Sequence, residues 1–151
     1  ENSVTSAPHI LAIIPCSKEK VWDDAPQYGP ARAARAYTSR LHLLCQEYAK
    51  KHADRWIILS AKYGFLEPQS LVPGPYDVTF SRPNDPVISQ QALAQQAKDI
   101  IADEVLLLLP PDYEEYVRGA FAGHPIRFTQ PLGLYEGLQV MEARLVEQLR
   151  D

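Results

Sequence analysis

Hydrophobic and polar positions along the chain fall into two alternating rhythms. Short, nearly unbroken apolar runs occur at residues 9–15 (HILAIIP), 56–60 (WIILS), 104–109 (EVLLLL) and, more weakly, 126–129 (IRFT). Runs of this length bounded by polar residues predict strands buried on both faces. Elsewhere apolar residues recur at three- and four-residue steps. Tyr37, Leu41, Leu44, Cys45 and Tyr48 predict a helix over 31–52. Leu93, Ala97, Ile100 and Ile101 predict one over 87–102, and Leu138, Met141, Leu145 and Leu149 one over 135–149. Pro110 and Pro111 open a shorter helix to about residue 121, since proline is tolerated in a first turn. The order β-α-β-α-β-α-β-α predicts an α/β three-layer sandwich. Its sheet would be four-stranded, mostly parallel and ordered 2-1-3-4, with helices on both faces.

In such sheets ligands bind beyond the carboxyl ends of the strands, near the point where the strand order reverses. Two segments are expected there. The first strand ends in Pro15-Cys16-Ser17-Lys18-Glu19-Lys20, the second in Ser60-Ala61-Lys62-Tyr63-Gly64. Each carries a hydroxyl, backbone N–H groups and a lysine, a set suited to an anion or a polar heterocycle. From Tyr63 to Asp85 the chain then makes a long connection with prolines at 68, 73, 75 and 83. Connections of that length are uncommon in compact domains and are usually functional. This one holds the pair Tyr76-Asp77.

Length and charge narrow the picture. A chain of 151 residues predicts one domain, spanning residues 9–151, behind a flexible leader at 1–8 that lacks the basic and apolar parts of a signal peptide. A net charge of -4 argues against a generally basic surface, while Arg32, Arg35, Arg40, Lys50 and Lys51 leave room for a local basic patch. No apolar run nears the ~20 residues needed to span a bilayer, so no membrane partner is expected. Cys16 and Cys45 are too few for a disulfide framework, and a reduced, cytoplasmic protein is expected. The histidines at 9, 42, 52 and 124 lack ligand spacing, and neither GxxxxGK[ST] nor GxGxxG occurs. No metal and no cofactor are expected.

Several candidate residues carry two readings. Cys16 is either a small buried hydrophobe or a nucleophile activated by a neighbouring lysine. Asp77 is either a turn residue or a catalytic acid. Lys18, Glu19 and Lys20 are either a solvated cluster or part of a site. Cys45 belongs to the core. Tyr113, Glu114, Glu115 and Tyr116 read as an exposed helix face. Glu136 reads as a first-turn helix residue that can also face the site.

The segments PCSKEK, ARAYTS, WIILSAKYGFLEP and PYDVTF occur in this order between Ile10 and Phe80. Together they resemble an uncharacterised bacterial family of unknown-function domains. That family is distantly similar to the peroxide-stress protein YaaA and, through its Cys and following Lys, to the archaeosine synthase core, which has a uracil-DNA glycosylase-like fold. The resemblance implies a site made by Cys16, Lys20, Arg35, Tyr37, Ser39, Ser60, Lys62, Gly64, Tyr76 and Asp77, with DNA or a modified base as substrate class. It also carries a departure. Uracil-DNA glycosylases place an Asp or Asn soon after the first strand to position water, where this chain has Cys16-Ser17; the hydrolytic role then falls to Asp77.

The expected function is therefore an enzyme acting on a nucleobase, a nucleoside or nucleic acid at the N-glycosidic bond. Asp77 would stabilise the oxocarbenium-like sugar. Tyr63 or Tyr76 would stack on the base, and Lys62 or Lys20 would hold a phosphate or the leaving base. The alternative is a non-catalytic DNA-binding stress-response module related to YaaA. Nucleophilic chemistry at Cys16 ranks last, because no spaced His partner accompanies it.

Overall fold

A computed structural model of the chain describes residues 9–133 and 137–150. The first apolar run forms β1 (Ile10–Pro15), followed by α1 (Val21–Asp24), β2 (Ala31–Arg32), α2 (Ala33–Ala36) and α3 (Arg40–His52). Then come β3 (Arg55–Ser60), β4 (Gly64–Leu66), β5 (Leu71–Val72) and α4 (Gln90–Ala97). The last elements are β6 (Glu104–Leu107), α5 (Pro111–Ala120), β7 (Arg127–Thr129) and α6 (Leu138–Leu149). The expected leader at 1–8 and Glu136 lie outside the described residues.

The main sheet runs β4-β3-β1-β6-β7, with β1 parallel to both β3 and β6 and β7 parallel to β6. β4 is antiparallel to β3, so the sheet is five-stranded and mixed where four strands were expected. The extra strand escapes sequence reading because it is a three-residue return, too short to show a period. Gly64 enables it, turning at φ 84° directly after β3 and its tight turn. A second, two-stranded sheet pairs β2 with β5.

Register places like with like. Ile13 lies beside Ile57 of β3 and Leu107 of β6, and all three enter one core. Neighbouring Ala12 and Ile14 face the opposite core with Ile58 and Leu106, as the alternation of a strand requires. Helices α3 and α6 close the side of Ala12 and Ile14 through Cys45, Tyr48, Ala49, Met141 and Leu145. The side of Ile13 is covered by α4 and α5 through Leu93, Ala97, Val117 and Ala120.

The helix expected over 31–52 is broken. Residues 31–32 pair as β2, 33–36 make a single turn, and Tyr37 is extended and fully buried, bridging to Lys20. The true start is set by Ser39, whose Oγ accepts the His42 amide at 3.1 Å and caps α3. Likewise Ser89 caps α4 and trims its predicted start at 87 to Gln90, and the chain loosens into turns after Ala97. Among the described residues no helix is long and apolar enough to cross a membrane.

Candidate functional site

A cavity of about 940 Å³ opens beyond the carboxyl ends of β1 and β6, the reversal point of the sheet. Its wall combines Pro15 to Lys20 after β1, Asp77 to Thr79 with Arg82 from the long connection, and the first residues of α3, α5 and α6. Three helices thus begin at this wall. Their dipoles favour negative charge in the cavity.

Lys20 is the most unusual residue there. Only 4% of it is exposed, yet it lines the cavity. Its Nζ donates to the Lys18 carbonyl at 3.2 Å and stands 4.3 Å from the centre of the Tyr76 ring. No carboxylate lies within ion-pair distance of it among the described residues. Burial lowers its pKa, outweighing the opposing pull of Cys16, Asp77, Asp23 and Glu19.

Cys16 is half-buried, with its amide donating to the Leu59 carbonyl at 3.1 Å and its Sγ 3.6 Å from the Tyr113 hydroxyl. Burial pushes its thiol up, against smaller lowering contributions from the Ala61 backbone, Tyr113 and Lys20. At neutral pH the resting side chain is a thiol, which weighs against a preformed nucleophile. Tyr113, read from sequence as exposed, is buried and also meets the Thr79 hydroxyl at 3.2 Å.

Asp77 is exposed and lines the same cavity. The Arg82 guanidinium donates to both of its carboxylate oxygens, at 2.9 and 3.4 Å, and to Asp85 at 2.8 Å. Those hydrogen bonds hold the Asp77 carboxyl below its ordinary range, so it is ionised at neutral pH. Asp85 in turn accepts the Thr79 amide at 2.9 Å, tying the arginine to the connection's backbone.

The Ser60–Gly64 segment lies behind this wall. Ser60 is fully buried; its Oγ accepts the amides of Lys62 and Tyr63 at 3.2 and 3.0 Å and meets the Tyr76 hydroxyl at 2.8 Å. Tyr76 continues the chain of hydrogen bonds to the Tyr37 hydroxyl. Burial drives both phenols well above their usual pKa. Gly64 is required by packing: a Cβ there would fall 2.2 Å from Gln96 Oε1 and 2.7 Å from Ile88 Cδ1. Lys62 is exposed, its Nζ 5.2 Å from the centre of the Tyr63 ring.

Of the residues expected at the site, Cys16, Ser17, Lys20, Ser39 and Asp77 line the cavity. Tyr37, Ser60 and Tyr76 form the network that supports Lys20 from behind, with Tyr63 edge-on to Tyr76 at 5.3 Å. Arg35 is exposed on α2 and does not line the cavity. Tyr63 and Tyr76, expected to stack on a base, do not line it either. Sequence reasoning missed Tyr113, Thr79 and Arg82. An arginine five residues after Asp77 was the available signal for the last; nothing local marks the other two.

An α/β protein with a cavity past its parallel strands is thus defined. The chain belongs to a family of unknown function, DUF6884, which matches over residues 11–142. It is 41% identical over 133 residues to the uncharacterized protein YfjM of Bacillus subtilis strain 168, covering 87% of this chain and 89% of that one. No solved structure matches the chain significantly.

Proposed function

We propose that the protein is a glycosylase-like enzyme, acting on the N-glycosidic bond of a nucleoside unit, free or within a nucleic acid strand. One observation carries this reading: an ionised carboxylate, Asp77, and a buried lysine, Lys20, share one cavity of about 940 Å³. That volume lies in the range of small-molecule and cofactor sites. When a base departs, positive charge develops on the sugar and negative charge on the base. Asp77 faces the first. Lys20 and the helix N-termini around the wall favour the second. Arg82 fixes the Asp77 carboxylate before substrate arrives, so little reorganisation accompanies the reaction. Substrate class comes from the motif resemblance, and the residue roles from the cavity.

The test couples binding to chemistry. Thermal stability is measured against nucleobases, nucleosides and short DNA and RNA strands, and base release from each is followed by chromatography. A ligand at a hundredfold excess over its Kd stabilises by ~2.7 kcal/mol. Stabilisation together with base release supports the enzyme. Binding of strands that fades as salt rises, with no base released, supports the YaaA-like binding module instead.

A further inference from the structure

We infer that Lys20 is an amine nucleophile for a sugar aldehyde, which adds a lyase activity on abasic deoxyribose strands to the glycosidic step. The inference rests on the glycosidic reading above, because departure of the base leaves a sugar whose ring-opened C1′ is an aldehyde at the cavity wall. Lysines that form imines are desolvated and poised near neutrality, unlike surface lysines, which stay protonated and hydrated. Lys20 is 4% exposed and lines the cavity, with one backbone carbonyl as its hydrogen-bond acceptor and no carboxylate paired to it among the described residues. Its position is fixed. The backbone bridges to Tyr37, the amide donates to Asp23 at 2.9 Å, and the Tyr76 ring lies beneath Nζ. Burial lowers the pKa in the direction that amine chemistry needs.

The steps balance without any oxidant or reductant. Neutral Nζ adds to the C1′ carbonyl carbon, the carbonyl oxygen takes up a proton, and loss of water gives the iminium. Removal of a C2′ proton by the Asp77 carboxylate, on the same wall, sends an electron pair into a C1′–C2′ enamine. The enamine expels the 3′ phosphate, breaking the C3′–O bond. Water then hydrolyses the remaining imine and frees Lys20.

The experiment incubates the intact protein with a labelled deoxy strand carrying one abasic site, with and without borohydride, which reduces an iminium to a stable amine. The expected result is a covalent protein–strand adduct mapped by mass spectrometry to residue 20, and a strand nicked 3′ to the site when borohydride is omitted. Lys20→Arg keeps the charge and most of the volume, and it should lose the adduct while retaining a wild-type melting transition. No adduct from the folded wild-type protein, or an adduct at Lys18 or Lys62, overturns the inference. Base release from an intact strand is scored separately. Release without an adduct removes the amine chemistry alone; an adduct at Lys20 without release of any base supports the amine chemistry and removes the glycosidic reading.

Discussion

Two polar clusters sit side by side past the strand ends, and they differ in what their hydrogen-bonding groups are already doing. In the network of Ser60, Tyr76 and Tyr37, hydroxyl meets hydroxyl and the serine also accepts two turn amides. Its capacity is committed within the protein. Around the cavity, the Lys20 amine meets one backbone acceptor among the described residues, and Asp77 keeps an exposed face although Arg82 holds it. Polar density past a strand therefore marks two things: wiring that positions a loop, and groups left able to bind. The wiring makes the binding groups effective, because Tyr76 both belongs to the closed network and lies under Lys20.

The sharpest way to break this contrast is Asp77→Asn. The exchange keeps shape but removes the charge facing a developing cation. Base release should fall by about 10²–10³-fold, comparable to losing one preorganised electrostatic group. The thermal shift with a non-reacting nucleoside should persist, and so should the unliganded melting temperature, since Asp77 is exposed. Unchanged turnover would move the chemistry off this residue.

His42 supplies a pH test of the committed side. Its Nδ1 donates to the Pro15 carbonyl at 2.7 Å, just before Cys16, while its Nε2 accepts from Gln46 at 2.8 Å. The Gln46 amide also donates to the Ala34 carbonyl, which fixes its orientation and keeps the imidazole neutral. Burial lowers the His42 pKa to about 4. The unfolded chain gains a proton below about pH 6.5 that the folded protein refuses, so stability is full above that pH. It declines as pH falls toward 4, by about 3 kcal/mol from this group. Urea unfolding between pH 7 and 4 reads the slope, and His42→Gln should flatten it. An equal slope in the variant would assign the loss to other groups.

Ser60→Ala should act on stability before chemistry. It leaves the turn amides without their acceptor and removes the hydroxyl partner of Tyr76, which costs about 2 kcal/mol. Calorimetry should show the lower transition. Base release per folded molecule should drop less than in Asp77→Asn. A larger drop would place the serine in the reaction itself.

The same division explains what was legible in the sequence. Apolar runs such as LAII and IILS, which must be buried on both faces, announce the parallel strands and hence the sheet edge where the cavity lies. Strands β2, β4 and β5 carry no bounded apolar run and stay silent, whereas the equally short β7 is announced by the run at 126–129. The helical rhythm ran on through Tyr37 because an extended buried tyrosine presents the same apolar spacing as a helical one; only Ser39 marked the cap. At the site, Cys16, Lys20 and Asp77 were legible from their position after strands and in the long connection. The separation of Lys20 from Lys62, one lining the cavity and the other exposed behind it, depends on tertiary placement and left no local trace.

Gly64 gives the smallest effect on the cavity and sharpens the boundary between the two clusters. A glycine at this place can serve a sharp turn or a close approach to ligand. Its φ of 84° is costly for any residue with a Cβ, about 1–2 kcal/mol. An added methyl also meets the Gln96 side chain, which receives the Phe65 amide at 2.8 Å and donates to the Tyr63 carbonyl at 3.0 Å. Gly64→Ala should therefore lower the urea midpoint by an amount equivalent to at least about 1–2 kcal/mol. Nucleoside affinity should not change, because the pressure falls on α4, away from the cavity. A loss of affinity with unchanged stability would mean that ligand, not Gln96, occupies the space above this glycine.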